Sequence, residues 1–209
     1  MFYETRQRDK SLLPHDPFKA IVAPRPIGWI STRSLDGRVN LAPYSFFNAF
    51  CSVPPIVGFS SEGLKDSAAF ARESGEFVAN FASHDLMAAI NASSAPLPRG
   101  QSEFDHAGLT TAPCRLVRAP RVAECRAALE CKVVEIVTLK DHRGAPLDNH
   151  LVLGEVVGFH IDDAMIRDGR FDTAGARPLA RCGYQDYAVV DRLISLARPR
   201  GGGDGSASL

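Results

Sequence analysis

The sequence predicts a mainly β protein, an antiparallel barrel carrying a few short helices. Three observations predict it: many short β-branched or alternating apolar runs, turn signals between them, and few segments with helical spacing. A doubly wound dinucleotide fold is disfavoured, because the chain lacks G-x-G-x-x-G. The 209 residues are 45% hydrophobic and 23% charged, an ordinary globular composition for one domain. A chain of this length buries roughly 70% of its unfolded surface, so folding needs neither metal nor disulfide.

The opening "MFYETRQRDK" is charged and has no apolar leader-like run. "KAIVAP" and "IGWIST" read as strands, and the second runs into "LDGR", where Asp36-Gly37 is a hairpin signal because glycine accepts positive φ. "NLAPYSFFNAF" follows, with Asn40, Tyr44, Ser45 and Asn48 among apolar residues. Polar groups buried there need partners, since each one left unmade costs about 1 to 3 kcal/mol. The segment is either a strand end whose polar groups cap neighbouring backbone, or a wall of flat and small residues for a heteroaromatic ring. "PPIVGFS" reads as a strand entered through prolines, and "EFVANFA" alternates. Between them Asp66 is expected to cap a helix over "SAAFARES", and Ser83 or Asp85 one over "LMAAINASSA". Two long strands, "ALECKVVEIVTL" and "HLVLGEVVGFHI", come late. In the second, Leu151, Leu153, Val157, Phe159 and Ile161 are expected to share a face interrupted by Glu155. The domain is expected to span residues 1–197, with the Gly/Ser-rich "RPRGGGDGSASL" over 198–209 a flexible tail.

Charge excludes some partners. Lys plus Arg number 24, as do Asp plus Glu, so neither nucleic acid nor an anionic membrane is expected; the leader-free start and the short, Glu155-interrupted "LVLGEVVGF" lead to the expectation of a cytoplasmic protein. Five cysteines form no C-x-x-C, and no two of the six histidines stand at helical metal-ligand spacing, so no metal is expected. "FSSEGLKDSAAFA" is more suggestive. Lys65 precedes a helix start, where the helix dipole disfavours a cation by about 0.3 to 1 kcal/mol unless an anion is also present. Ser60, Ser61, Gly63 and the free N–H groups of the first turn complete a phosphate cradle. "GFSSEG" does not fit G-x-S-x-G, and no Ser-His-Asp set or carboxylate pair emerges. His150, at a strand start, is the histidine best placed to face a cavity.

Six segments taken in order, "APRPIGWIST", "NLAPYSFFNAFCSVPPIVGFSS", "KDSAAFARESGEFVAN", "SEFDHAGLT", "HLVLGEVV" and "PLARCGYQDY", resemble the flavin reductase-like, FMN-binding split-barrel family. Within it the chain is similar to flavin reductase components of nitrilotriacetate monooxygenase. The resemblance implies a six-stranded split barrel and a homodimer holding FMN near the subunit interface. Ser31 and Thr32 would flank the flavin, and Ala42, Pro43, Tyr44, Ser45 and Asn48 would lie along the ring. Ser60, Ser61, Lys65, Asp66 and Ser67 would belong to the phosphate cradle, with Asp66 capping the helix. His150 would lie near the nicotinamide, and Arg181, Gly183 and Tyr184 would approach the flavin. The implied activity is hydride transfer from NADH or NADPH to FMN, with reduced flavin passing to a monooxygenase. Two rivals remain open: a flavoprotein that keeps its FMN and exchanges electrons without nicotinamide, and a split-barrel binding module without catalysis.

Overall fold

The computed structural model describes residues 1–98, 101–197 and 199; apart from Pro199, the expected tail over 198–209 lies outside the described residues. In chain order come helix α1 (Phe18–Ile21) and strands β1 (Arg25–Pro26), β2 (Gly28–Arg33), β3 (Val39–Tyr44), β4 (Phe47–Ser52) and β5 (Pro55–Glu62). Helix α2 (Asp66–Ser74), strand β6 (Glu76–Phe81), and helices α3 (Met87–Ala92) and α4 (Glu103–His106) follow. Short strands β7 (Thr111–Ala112) and β8 (Arg121–Val122) precede the long hairpin of β9 (Ala127–Lys140) and β10 (Pro146–Ile161). The last elements are β11 (Ile166–Arg167), β12 (Arg170–Phe171), α5 (Thr173–Ala176), β13 (Leu179–Gly183) and β14 (Asp186–Val189).

Seven strands form one antiparallel sheet in the order β3-β2-β6-β9-β10-β5-β4. Its two edges, β3 and β4, are consecutive in the chain and separated only by Ser45 and Phe46. A sheet whose opposite edges are joined by so short a link must curl until they meet. Aromatic rings fill the seam: Tyr44 stacks on Phe59 with centroids 4.7 Å apart. Phe47 lies so close over Gly28 that a Cβ there would sit 2.4 Å from its ring. The expected antiparallel barrel with attached helices is therefore the observed fold. Its main sheet has seven strands where the resemblance implied six, because "NLAPYSFFNAF" breaks at Ser45-Phe46 into a strand for each edge.

Inside the barrel Ile30, Val57, Phe59, Phe77, Cys131 and Val152 pack together with Ala68 and Ala71 of α2. Helix α2 can plug the barrel because Ser67, Ala68, Phe70 and Ala71 fall on one helical face, and it ends at Gly75, whose φ of +72° few other residues adopt easily. A second core, built on Trp29, Leu41, Ile90, Phe104 and Leu179, lies on the other side of β2 and β3. "LDGR" forms the expected turn, with Gly37 at φ +95° between β2 and β3.

Two local expectations give way. "KAIVAP" contributes the single helical turn α1 instead of a strand, its N–H groups bonding back to Pro17 and Phe18 carbonyls. In β10 a register shift between Val156 and Gly158 turns the strand over, so one alternating face does not run its whole length. Val152 and Val156 face the barrel interior before the shift, whereas Phe159 and Ile161 line the apolar cleft after it.

The outer side of β6 and β9 is covered by a strap, residues 113–122, which ends in β8 and whose backbone is held to the sheet by side-chain acceptors. Glu130 accepts from the N–H groups of Arg115, Leu116 and Val117, Glu76 from that of Arg118, and Asn80 from that of Val122. The Ser31 hydroxyl donates to the Pro120 carbonyl at 2.5 Å. Among the described residues no helix is long and apolar enough to cross a membrane.

Candidate functional site

The broken edge segment supplies the exposed polar surface of the barrel. Ala42, Pro43, Tyr44 and Ser45 are half-buried and Asn48 is exposed, its Oδ1 accepting the Ala49 N–H at 2.9 Å. The Ser60 N–H donates to the Phe46 carbonyl at 2.8 Å, which fixes this corner against the end of β5. A few residues on, α2 begins, and its first internal bond runs from the Ala69 N–H to the Lys65 carbonyl at 2.9 Å. The N–H groups of Asp66, Ser67 and Ala68 therefore have no partner within the helix. Gly63, at φ +75°, turns the chain tightly just before them, and Lys65 and Asp66 are exposed.

Asp66 does not cap this helix. It is the first helical residue, Lys65 stands at the cap position, and among the described residues no side chain bonds the free N–H groups there. The same holds for Ser83, which precedes the turn before α3 without a capping bond.

Several hydroxyls expected at the site are spent inside the protein. Ser61 donates to the Gly63 carbonyl at 2.8 Å, and Ser67 accepts from Asn40 Nδ2 at 2.6 Å. Burial raises the Tyr44 phenol above its ordinary pKa, against the opposing pull of contacts to Ser67 and Ser61. Ser31 lies beneath the strap, accepting from Asn80 Nδ2 at 3.0 Å in addition to its bond to Pro120. Thr32 is fully buried, and its hydroxyl has no hydrogen-bond partner among the described residues.

The fold does join the middle of the chain to its late part. Pro43 and Ser45 share a cleft of about 500 Å³ with Arg181, together with Asn91, Ser94, Gln185 and Tyr187. This volume lies within the usual range of small-molecule sites. Arg181 is held over the Tyr187 ring at 4.5 Å and donates to the Tyr184 carbonyl. Tyr184 can present that carbonyl because it turns the chain at φ +46°, beside Gly183 at +135°. Its own ring is exposed and meets His15 edge-on at 5.8 Å. Asn91 and Ser94 carry no sequence signal, and Gln185 and Tyr187 none beyond lying in "PLARCGYQDY"; the cleft itself identifies all four.

His150 stands apart from that cleft. Paired opposite Ser61 and Thr138, it lies at the α2 end of the barrel, Nδ1 at 3.3 Å from Thr138 Oγ1 and Nε2 at 3.7 Å from Asp148. A separate apolar cleft of about 570 Å³ opens where β6 and β10 end, between Phe47, Phe81, Leu129, Phe159 and Phe171.

A family model described as flavin reductase like domain matches residues 22–178. The uncharacterized protein BH2278 of Halalkalibacterium halodurans is 39% identical over 183 residues, which span 85% of this chain and 87% of the relative. Nitrilotriacetate monooxygenase component B from Bacillus cereus superposes with a TM-score of 0.85 at 28% identity, covering 94% of this chain and 98% of its own. Flavoredoxin of Desulfovibrio vulgaris superposes with a TM-score of 0.74, covering 84% and 92%; at 22% identity that likeness shows the fold alone.

Proposed function

Because the chain belongs to the flavin reductase like domain family, we propose that it binds FMN, reduces it with NADH or NADPH, and passes reduced flavin to a monooxygenase. The observation that carries this reading is the bond from Ser60 to Phe46, which sets the exposed corner beside the strand that feeds the bare N-terminus of α2. The residues there fit the cofactor. Lys65, the Ser60 hydroxyl and the free N–H groups of α2 would hold the phosphate, with Gly63 allowing close backbone approach. Asp66 sits at the first helical position, where its charge opposes a phosphate, so Lys65 has to outweigh it. Pro43, Tyr44, Ser45 and Asn48 would lie along the flavin, with Arg181 reaching the same cleft.

Bound FMN supplies the acceptor for a hydride from the nicotinamide, a reaction that needs no proton-transferring side chain. The chain's own part is placement and exclusion of water. His150, with Thr138 and Asp148 beside it, would serve the nicotinamide. Ser31, Ser61 and Ser67 support the site from behind, through the bonds that fix β2, β5 and α2.

A homodimer belongs to the same proposal. Phe50 packs with Leu153 over Gly58 on the outer face of the barrel, yet 54% of it remains exposed, a surface that a second copy would cover. The component B name of the Bacillus cereus neighbour supports a monooxygenase partner.

The test is an absorbance spectrum after incubation with FMN and desalting, read beside NADH or NADPH oxidation with FMN added. The reading expects flavin-dependent oxidation of nicotinamide. Retained yellow colour without oxidation favours an electron carrier, and a colourless, silent protein overturns flavin binding.

A further inference from the structure

Away from the proposed flavin site, three side chains of metal-binding type converge where the strap meets the sheet: Cys114 near the strap's start, Glu130 on β9 and His160 on β10. A sulfur, a carboxylate oxygen and a ring nitrogen from these three all lie within 4.8 Å of one another. We propose that Cys114, Glu130 and His160 form a binding site for a zinc-class divalent transition metal, with water as the fourth ligand.

The donor chemistry selects the metal. Thiolate, imidazole and carboxylate together suit borderline ions such as zinc or cobalt, whereas magnesium and calcium take oxygen ligands. The ligands are already supported from behind. Glu130 is fixed by the Arg115, Leu116 and Val117 N–H groups at 2.8, 2.6 and 3.0 Å, the kind of outer support that orients a metal ligand. Burial and the Glu130 carboxylate push the Cys114 thiol up to about 12, so a metal has to displace its proton.

Two of the three ligands border open space. Glu130 and His160 form part of the wall of a polar cavity of about 470 Å³. Gly158 keeps the approach clear, because a Cβ there would already sit 3.4 Å from the Glu130 carboxyl carbon. His160 Nε2 lies 2.5 Å from Glu130 Oε1. Metal entry releases the Cys114 thiol proton and the proton between His160 and Glu130 to solvent, replaces that hydrogen bond with two coordinate bonds and moves the two atoms apart to roughly 3 Å, the spacing of neighbouring ligands around zinc. The bound ion would pin the strap to the β9–β10 hairpin.

Tag-free protein titrated with cobalt(II) tests the site. One equivalent is expected to give visible ligand-field bands and a near-ultraviolet thiolate-to-cobalt band, both abolished by adding zinc. Cys114→Ser should lose the thiolate band, and His160→Gln should weaken cobalt binding by roughly tenfold or more. Cys125→Ser, a thiol in the wall of the same cavity, should keep both signals. Absence of a thiolate band at one equivalent overturns the proposal, as does its survival in Cys114→Ser. If far-ultraviolet circular dichroism shows Cys114→Ser unfolded, undiminished cobalt affinity in His160→Gln overturns it equally.

Discussion

Lys65 occupies the position before α2 where a cation is electrostatically disfavoured, and no carboxylate in the structure pairs with it among the described residues. A phosphate there would reverse the sign of that interaction. Lys65→Ala is expected to weaken FMN by about 1.5 kcal/mol, roughly tenfold, through loss of one charge-assisted contact. Riboflavin, which lacks the phosphate, should bind both proteins equally. Flavin fluorescence titrations measure the two affinities, and equal weakening of both ligands would count against the cradle. Lysine and serine types near a helix start were legible in the sequence, but the direction of each hydroxyl was not. Ser61 turns to the Gly63 carbonyl just past its own strand and Ser67 to Asn40, a partner that only the folded barrel brings within 2.6 Å.

At the scale of elements, the seam between β3 and β4 holds the site's corner in place, and Gly28 is its tightest point. A methyl group at Gly28 would meet Phe47 at 2.4 Å, against the ring itself and not a flexible tip. Gly28→Ala is therefore expected to destabilise the protein by about 1 to 3 kcal/mol, read as a lower urea midpoint. Adding Phe47→Leu should recover part of that loss, because the smaller side chain leaves room for the methyl; a double variant no more stable than Gly28→Ala would refute the overlap. Strand positions were legible wherever apolar residues alternated, as in β6 and β9. The sequence pattern failed at "KAIVAP", where turn bonding to Pro17 and Phe18 overrides β propensity, and at Val157, where a bulge reverses the faces of β10.

The whole molecule is a nearly closed barrel plugged by α2 and strapped on one outer side, with Phe50 left exposed on another. An exposed aromatic packed over a glycine is a typical centre for an interface, since its apolar area is large and already ordered. Light scattering after size-exclusion chromatography is expected to give a dimer for the parent protein and a monomer for Phe50→Glu, because a second copy would bury the new charge. An unchanged oligomeric state in a folded Phe50→Glu would place the interface elsewhere.

By itself the sequence determined strands β2, β5, β6, β9 and β10, the Asp36-Gly37 turn and helix α2, because alternation, glycine conformation and helical spacing act between residues close along the chain. It also carried the six segments that resemble the flavin reductase family. Only the tertiary structure decided that one segment forms both edges of the sheet, that Arg181 joins Pro43 and Ser45, and that Cys114, Glu130 and His160 meet. Each of those depends on which distant stretches of chain come within a few ångströms when the barrel closes, and no local pattern encodes that.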